Sequence, residues 1–154
     1  MTAARDHGPG VRIPPPVIVA VLLGAAWGAM QLLPLPLMAP WPEAGWVAIA
    51  AGGALAVWTA AVMLLAGTDP RPDKPDAAMV QTGPFRLSRN PIYLGFLVAA
   101  AGVALRWGDG WGWIGVVACF LVLDRLVIAK EEAYLRARFG AAYEDYRARV
   151  RRWV

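Results

Sequence analysis

Between Ala44 and Gly67 the chain runs for 24 residues without a charged side chain. A bilayer core takes about 20 apolar residues in a helix, so this stretch alone restricts the fold to one that can shelter or dissolve such a rod. Three further apolar stretches surround it. Val17 to about Leu33 is uncharged and ends in the proline-punctuated PLPLMAPWP. Ile92 to Leu105 is shorter, in the length range where a buried or re-entrant helix competes with a full crossing. The last begins near Gly110 and runs to Ala129, interrupted by Asp124 and Arg125. Apolar residues make up 58% of the chain and charged residues 17%, so the expected fold is all-α: an integral membrane bundle of about four transmembrane helices in one domain over residues 1–154. The polar, proline-rich Met1–Pro16 leads into the first run with no signal-peptidase site in a small-residue context, and that run reads as a retained span.

Four crossings would put the N-terminus, the loop from Thr68 to Asn90 and the C-terminal tail on one side of the membrane. That side would hold 13 of the 15 lysines and arginines, leaving Arg106 opposite and Arg125 inside the fourth span. The positive-inside bias makes the crowded side, with both termini, cytoplasmic. The net charge of +4 is then accounted for by topology and anionic membrane lipids, and nucleic acid is not expected as a partner. Arginine outnumbers lysine 13 to 2 and alanine is abundant, which points to a GC-rich bacterial source and hence to a bacterial inner membrane. With one cysteine, Cys119, and one histidine, His7, neither a disulfide, a metal centre nor a Ser-His-Asp relay is expected. Small residues such as Gly52, Gly53 and Ala56 could pack within a chain or between chains, so the oligomeric state stays open.

From Lys130 onward, Leu135, Phe139, Ala142 or Tyr143, Tyr146, Val150 and Trp153 recur at steps of three and four among arginines and glutamates. This predicts an amphipathic helix that continues the fourth span and lies on the membrane surface or packs back on the bundle. An Asp or Arg at mid-bilayer costs about 2.5–3.5 kcal/mol, so Asp124 and Arg125 should face protein or a wet cavity. On an unbroken α-helix Asp124 shares a face with Glu131, and Arg125 shares the next with Glu132, stacking acids and a base down one inner wall. The segment G110-W-G-W-I-G115 matches a dinucleotide-binding fingerprint literally, but it follows a polar turn rather than a strand; its glycines read as helix-packing positions.

The stretch T82-G-P-F-R-L-S-R-N-P-I-Y-L-G95 carries a polar loop into the third apolar run. Ser88 or Asn90 is expected to cap that helix, with Pro91 in its first turn. Read so, it is a well-made helix start with interfacial arginines. It also gathers Phe85, Arg86, Arg89, Asn90 and Tyr93 at the mouth of a bundle, which makes a candidate ligand pocket.

The order G-P-F-R-x-S-R-N-P-x-Y-L-G, then after about 35 residues E-E-x-x-L-x-x-x-F-G-x-x-Y-x-x-Y-x-x-x-V, resembles the isoprenylcysteine carboxyl methyltransferase and phospholipid methyltransferase superfamily of integral membrane enzymes, over roughly Met79 to Val150. The resemblance implies S-adenosylmethionine as methyl donor, bound near the cytoplasmic face between the R-x-P-x-Y segment and the E-E helix. It implies a site lined by the backbone around Met79 and Val80 and by Phe85, Asn90, Pro91, Ile92, Tyr93 and Glu131, with Glu132 in support. The acceptor it implies is lipophilic or a small amphiphile, methylated on a carboxylate, a thiol or a lipid amine. Many members have His where this chain has Asn90, which can hydrogen-bond but cannot titrate near neutral pH. The family's substrate-binding Arg would fall near Val127, leaving Arg125 and Arg89 as the candidate substrate contacts, and no catalytic acid or base is assigned. Only two spans precede the motif, which favours a small amphiphile over a protein-bound prenyl group.

The residues suit such a donor. Carboxylates match its ammonium or hydroxyls, and Phe85 and Tyr93 can stack on a base or face a cation. In-line methyl transfer needs alignment and exclusion of water more than a strong acid. The residues alone also allow a reading of another class, a small membrane transporter or assembly subunit in which Asp124, Arg125 and Glu131 line a polar path.

Overall fold

The computed structural model describes residues 8–74 and 77–154, so Arg5 and His7 lie outside the described residues. Prolines open three of the helices, at the position where a missing N–H costs nothing. These are α1 (Pro15–Leu32), α2 (Pro42–Leu65) and α3 (Pro91–Trp107). Asp109 starts α4 (Gly110–Val122) by accepting a bond from the Trp111 amide at 3.0 Å. The rod continues through a π-helical turn (Leu123–Ile128) into α5 (Ala129–Phe139), and α6 (Ala141–Arg149) follows. The bundle is all-α, with no strand among the described residues. Three rods are long and apolar enough to cross a membrane: α1, α2 and the continuous Gly110–Phe139. At 17 residues α3 is shorter, about 25 Å at 1.5 Å per residue. Large apolar side chains such as Val57, Leu65 and Val117 face outward, where a bilayer rather than water covers them.

The closest helix pair is antiparallel and built on glycine. A Cβ at Gly52 would stand 2.3 Å from the Gly95 carbonyl oxygen, and one at Gly45 would stand 2.6 Å from that of Gly102. Two glycine pairs seven residues apart therefore let α2 and α3 meet backbone to backbone. Gly52 and Ala56 serve this contact within the chain, whereas Gly53 faces open space. The fingerprint-like segment is likewise spent on packing: Gly110 meets Leu35, Gly112 meets Ala104, and Gly115 meets Ala26 of α1.

Two features depart from the regular helices expected from sequence. The π turn inserts one residue into the helical repeat, which turns everything after it by about 100°. Residues eight apart, not seven, then share a face, so Asp124 and Glu132 both bind Arg152. The expected stacking of Asp124 over Glu131 and of Arg125 over Glu132 does not form. Arg125 also departs from its expected inward position: its side chain is 74% exposed and lies 3.7 Å from Asp124. The tail, expected as one helix, is cut by Gly140 at φ +53°. Beyond the cut α6 folds back, burying Tyr143 and Tyr146. At the other end Val11, just before α1, packs into the core beside Tyr93, Leu123, Val127 and Ile128.

Candidate active site

The loop after α2 is pinned at its neck. The Thr68 hydroxyl accepts from the Ala78 amide at 2.9 Å and donates to the Ala78 carbonyl at 3.1 Å. Met79 and Val80 follow this clasp, and a 3₁₀ turn over Gly83–Arg86 presents Phe85. Neither expected cap is made at α3. Ser88 Oγ accepts from the Asn90 amide and donates to the Arg152 carbonyl, and Asn90 Nδ2 donates to the same carbonyl at 3.0 Å. Both side chains are drawn away from the helix by the C-terminal segment, which also accepts from the Arg89 amide through the Arg151 carbonyl. The polar loop is thus held by residues about 60 positions downstream.

Between this loop, the start of α3, α5 and α6 lies a cavity of about 750 Å³ including its open mouth. Met79, Val80 and Phe85 wall it on the loop side. Asn90, Pro91, Ile92 and Tyr93 wall it at the start of α3, and Glu131 faces them from α5. The Tyr93 hydroxyl donates to Glu131 Oε1, fixing both side chains on the wall. Glu132 is turned away from the cavity. It is 7% exposed and accepts from Arg89 at 2.9 Å and from Arg152 at 2.6 Å. Arg89 reaches the cavity but is committed to that pair and to the Arg147 carbonyl. Arg125 is not on the wall. Glu131 lines the cavity while Asp124 and Arg125 do not, so the three line no common polar path.

Several wall residues were not assigned to the site from the sequence. Asp69, Arg71 and Lys74 come from the loop, and Tyr143 and Tyr146 from α6. The Arg71 guanidinium, 2.5 Å from Asp69, holds that exposed carboxyl down at about 2. Tyr146 donates to the Phe85 carbonyl at 2.7 Å, tying α6 to the 3₁₀ turn. Tyr143 is 1% exposed, and its hydroxyl has no hydrogen-bond partner among the described residues; Arg89 Nε has none either. A buried polar atom left so costs about 1–3 kcal/mol, which a ligand in the cavity could recover. Burial, then the nearby Glu132 charge, push the Tyr143 hydroxyl up to about 12, so it is a donor and not a base at neutral pH. The sequence signal for α6 was present in the Phe139-Gly140 step, a glycine stop. Arg152 had none.

The model of the phospholipid methyltransferase family matches residues 42–142, well over half the chain. The chain belongs to this family. The match contains every site residue expected from sequence, from Met79 to Glu132, and stops just short of Tyr143, Tyr146 and Arg152. An uncharacterized protein of Haemophilus influenzae is 38% identical over 63 residues, which is 41% of this chain and the whole of that protein. A protein-S-isoprenylcysteine O-methyltransferase of Schizosaccharomyces pombe is 35% identical over 78 residues, which is 49% of this chain. The chain spans only 32% of that yeast relative's length. Membership in this family, with three helices able to cross a bilayer, makes the chain an integral membrane methyltransferase.

Proposed function

We propose that the cavity binds S-adenosylmethionine and that this phospholipid methyltransferase relative passes its methyl group to a lipophilic or small amphiphilic acceptor in a bacterial inner membrane. The single observation that carries the reading is a wall with unmet bonding capacity, Tyr143 Oη and Arg89 Nε, facing a carboxylate, Glu131, already oriented by Tyr93. When bound, the donor supplies a methyl group on a sulfonium centre. The chain's own part is to hold and to dry the site. Glu131 and Asp69 offer negative charge to the donor's ammonium, Lys74 offers a cation to its carboxylate, and Tyr143 donates to a hydroxyl or ring nitrogen. Phe85 gives an aromatic face, while Met63 and Leu135 exclude water from the wall they share. Glu132 acts at one remove, holding Arg89 in place.

Asn90, which lines the cavity, cannot take up a proton near neutral pH, which favours an acceptor whose lone pair is already free, a carboxylate or an unprotonated amine, over a thiol. In this proposal both termini lie on the cytoplasmic side, which the charge asymmetry of the loops supports. The test is thermal unfolding in detergent with S-adenosylhomocysteine. Ligand at a hundredfold excess over its Kd should stabilise the protein by about 2.7 kcal/mol. Glu131→Gln should weaken the ligand at least tenfold and Arg125→Gln should not. Absence of any shift at saturating ligand would remove the donor from this cavity.

A further inference from the structure

On the far side of the N-terminal segment from the donor cavity lies a second hollow. Pro9 belongs to the cavity wall, whereas Gly10, Val11 and Arg12 belong to the hollow. The buried Val11 closes the partition from the core side. The hollow is larger, about 1250 Å³ by the same measure, and opens sideways between α1 and the π turn. Its walls are Val17, Ile18 and Val21 against Val122, Leu126 and Val127. Val17, Val21 and Leu126 are 48%, 63% and 57% exposed, so the groove faces the hydrocarbon of the surrounding bilayer.

Its rim is charged on one side only. Arg12 and Lys130 line it, and among the described residues no acidic side chain does. Several other cations are paired, Arg89 and Arg152 with Glu132, Arg136 and Arg147 with Glu144, and Arg71 with Asp69, while Arg86 and Arg151, which carry no ion pair among the described residues, line neither hollow. Arg12 and Lys130 make no ion pair among the described residues. From Lys130 back to Val122 the helix rises about 12 Å, close to the roughly 15 Å depth of one leaflet in a hydrocarbon core of about 30 Å. A groove one leaflet deep with cations only at its polar end fits one amphiphile.

We propose that this groove holds an acyl chain of an anionic phospholipid of the adjoining leaflet, with the phosphate at Arg12 and Lys130. A zwitterionic lipid would bring a second cation to the same rim and bind less well. The site is separate from the donor cavity and does not require methyl transfer, so it stands or falls without the activity assigned above.

The test uses the full chain in nanodiscs of phosphatidylcholine doped with phosphatidylglycerol carrying a diazirine on one acyl chain, and in parallel with phosphatidylcholine carrying the same diazirine. Labelled peptides are mapped by mass spectrometry, with no donor present. Residues 17–22 and 122–127 should be labelled by the phosphatidylglycerol probe in preference to the phosphatidylcholine probe. Arg12→Gln with Lys130→Gln should cut that preference by about fivefold per charge. The pair Arg86→Gln and Arg151→Gln, which removes two exposed cations elsewhere, should leave it intact. Leu126→Trp, which fills the groove from its open side, should reduce labelling by both probes while elution volume and helicity stay unchanged. Equal labelling by the two headgroups overturns the proposal, and so does equal loss in the Arg86 and Arg151 control. Undiminished labelling in folded Leu126→Trp overturns it as well.

Discussion

Tyr143 concentrates the properties of the site in one side chain. Its ring is buried at the junction of α6 and the cavity, and its hydroxyl donates to nothing among the described residues. Tyr143→Phe should therefore have opposite effects on the two states of the protein. Without ligand the variant should be more stable than wild type by about 1 kcal/mol, because a buried unsatisfied group is gone. With S-adenosylhomocysteine it should lose several-fold in affinity, read as a smaller thermal shift. A pH series adds a sign. The hydroxyl titrates near 12 in the folded protein against about 10 in an unfolded chain. The folded state therefore retains the proton longer, and wild-type stability relative to Tyr143→Phe should be level below pH 10 and fall as pH rises toward 12. Equal alkaline melting profiles would contradict the burial assigned to this residue.

The helices themselves were largely legible in the sequence, since uncharged runs bounded by Pro15, Pro42 and Pro91 leave few other outcomes. Their registers were less so. The π turn, Leu123–Ile128, places Asp124 and Arg125 among apolar residues, and nothing in these types marks an inserted residue; only the packing of Asp124 and Glu132 on one arginine reveals it. The pairing of α2 with α3 sits between these cases. Gly52 was a visible packing candidate, but which of Gly52 and Gly53 meets a neighbour depends on helix rotation. The two glycines make a matched test. Gly52→Ala forces a methyl group into the Gly95 carbonyl and should cost about 1–3 kcal/mol, as overpacking does. Gly53→Ala meets nothing within 4 Å and should be neutral or stabilising by about 0.5–1 kcal/mol, the helix preference of Ala over Gly. Unfolding midpoints in one detergent compare them directly.

For the whole molecule, the two motifs read from sequence lie on opposite walls of one cavity, and that convergence follows from topology. The α2–α3 hairpin returns the chain to its starting side, and the Gly110–Phe139 rod brings Glu131 back to the same level. What the sequence could not supply was the tie from Arg151 and Arg152 to Ser88, Arg89 and Asn90, because no local pattern announces a contact across some 60 residues. The proposed orientation is checked by labelling single cysteines in a Cys119→Ala background. Leu87→Cys should react with an impermeant maleimide only from the cytoplasmic side, and Leu37→Cys only from the other. Both parent side chains are exposed, at 68% and 63%. Labelling from the reverse sides would invert the topology and with it the leaflet from which an acceptor arrives.

Gly140 touches no other side chain within 4 Å of where a Cβ would stand, yet the position of α6 depends on it. Its backbone, at φ +53° and ψ −125°, is one that other residues adopt only under strain. Any replacement would favour a straight extension of α5 into the surrounding water, carrying Tyr143 and Tyr146 with it and leaving the cavity without that flank. An inventory of contacts would rank this position among the most dispensable in the chain. Its importance is geometric: a bend made by a residue with no side chain decides whether the enzyme has a complete vessel in which to work.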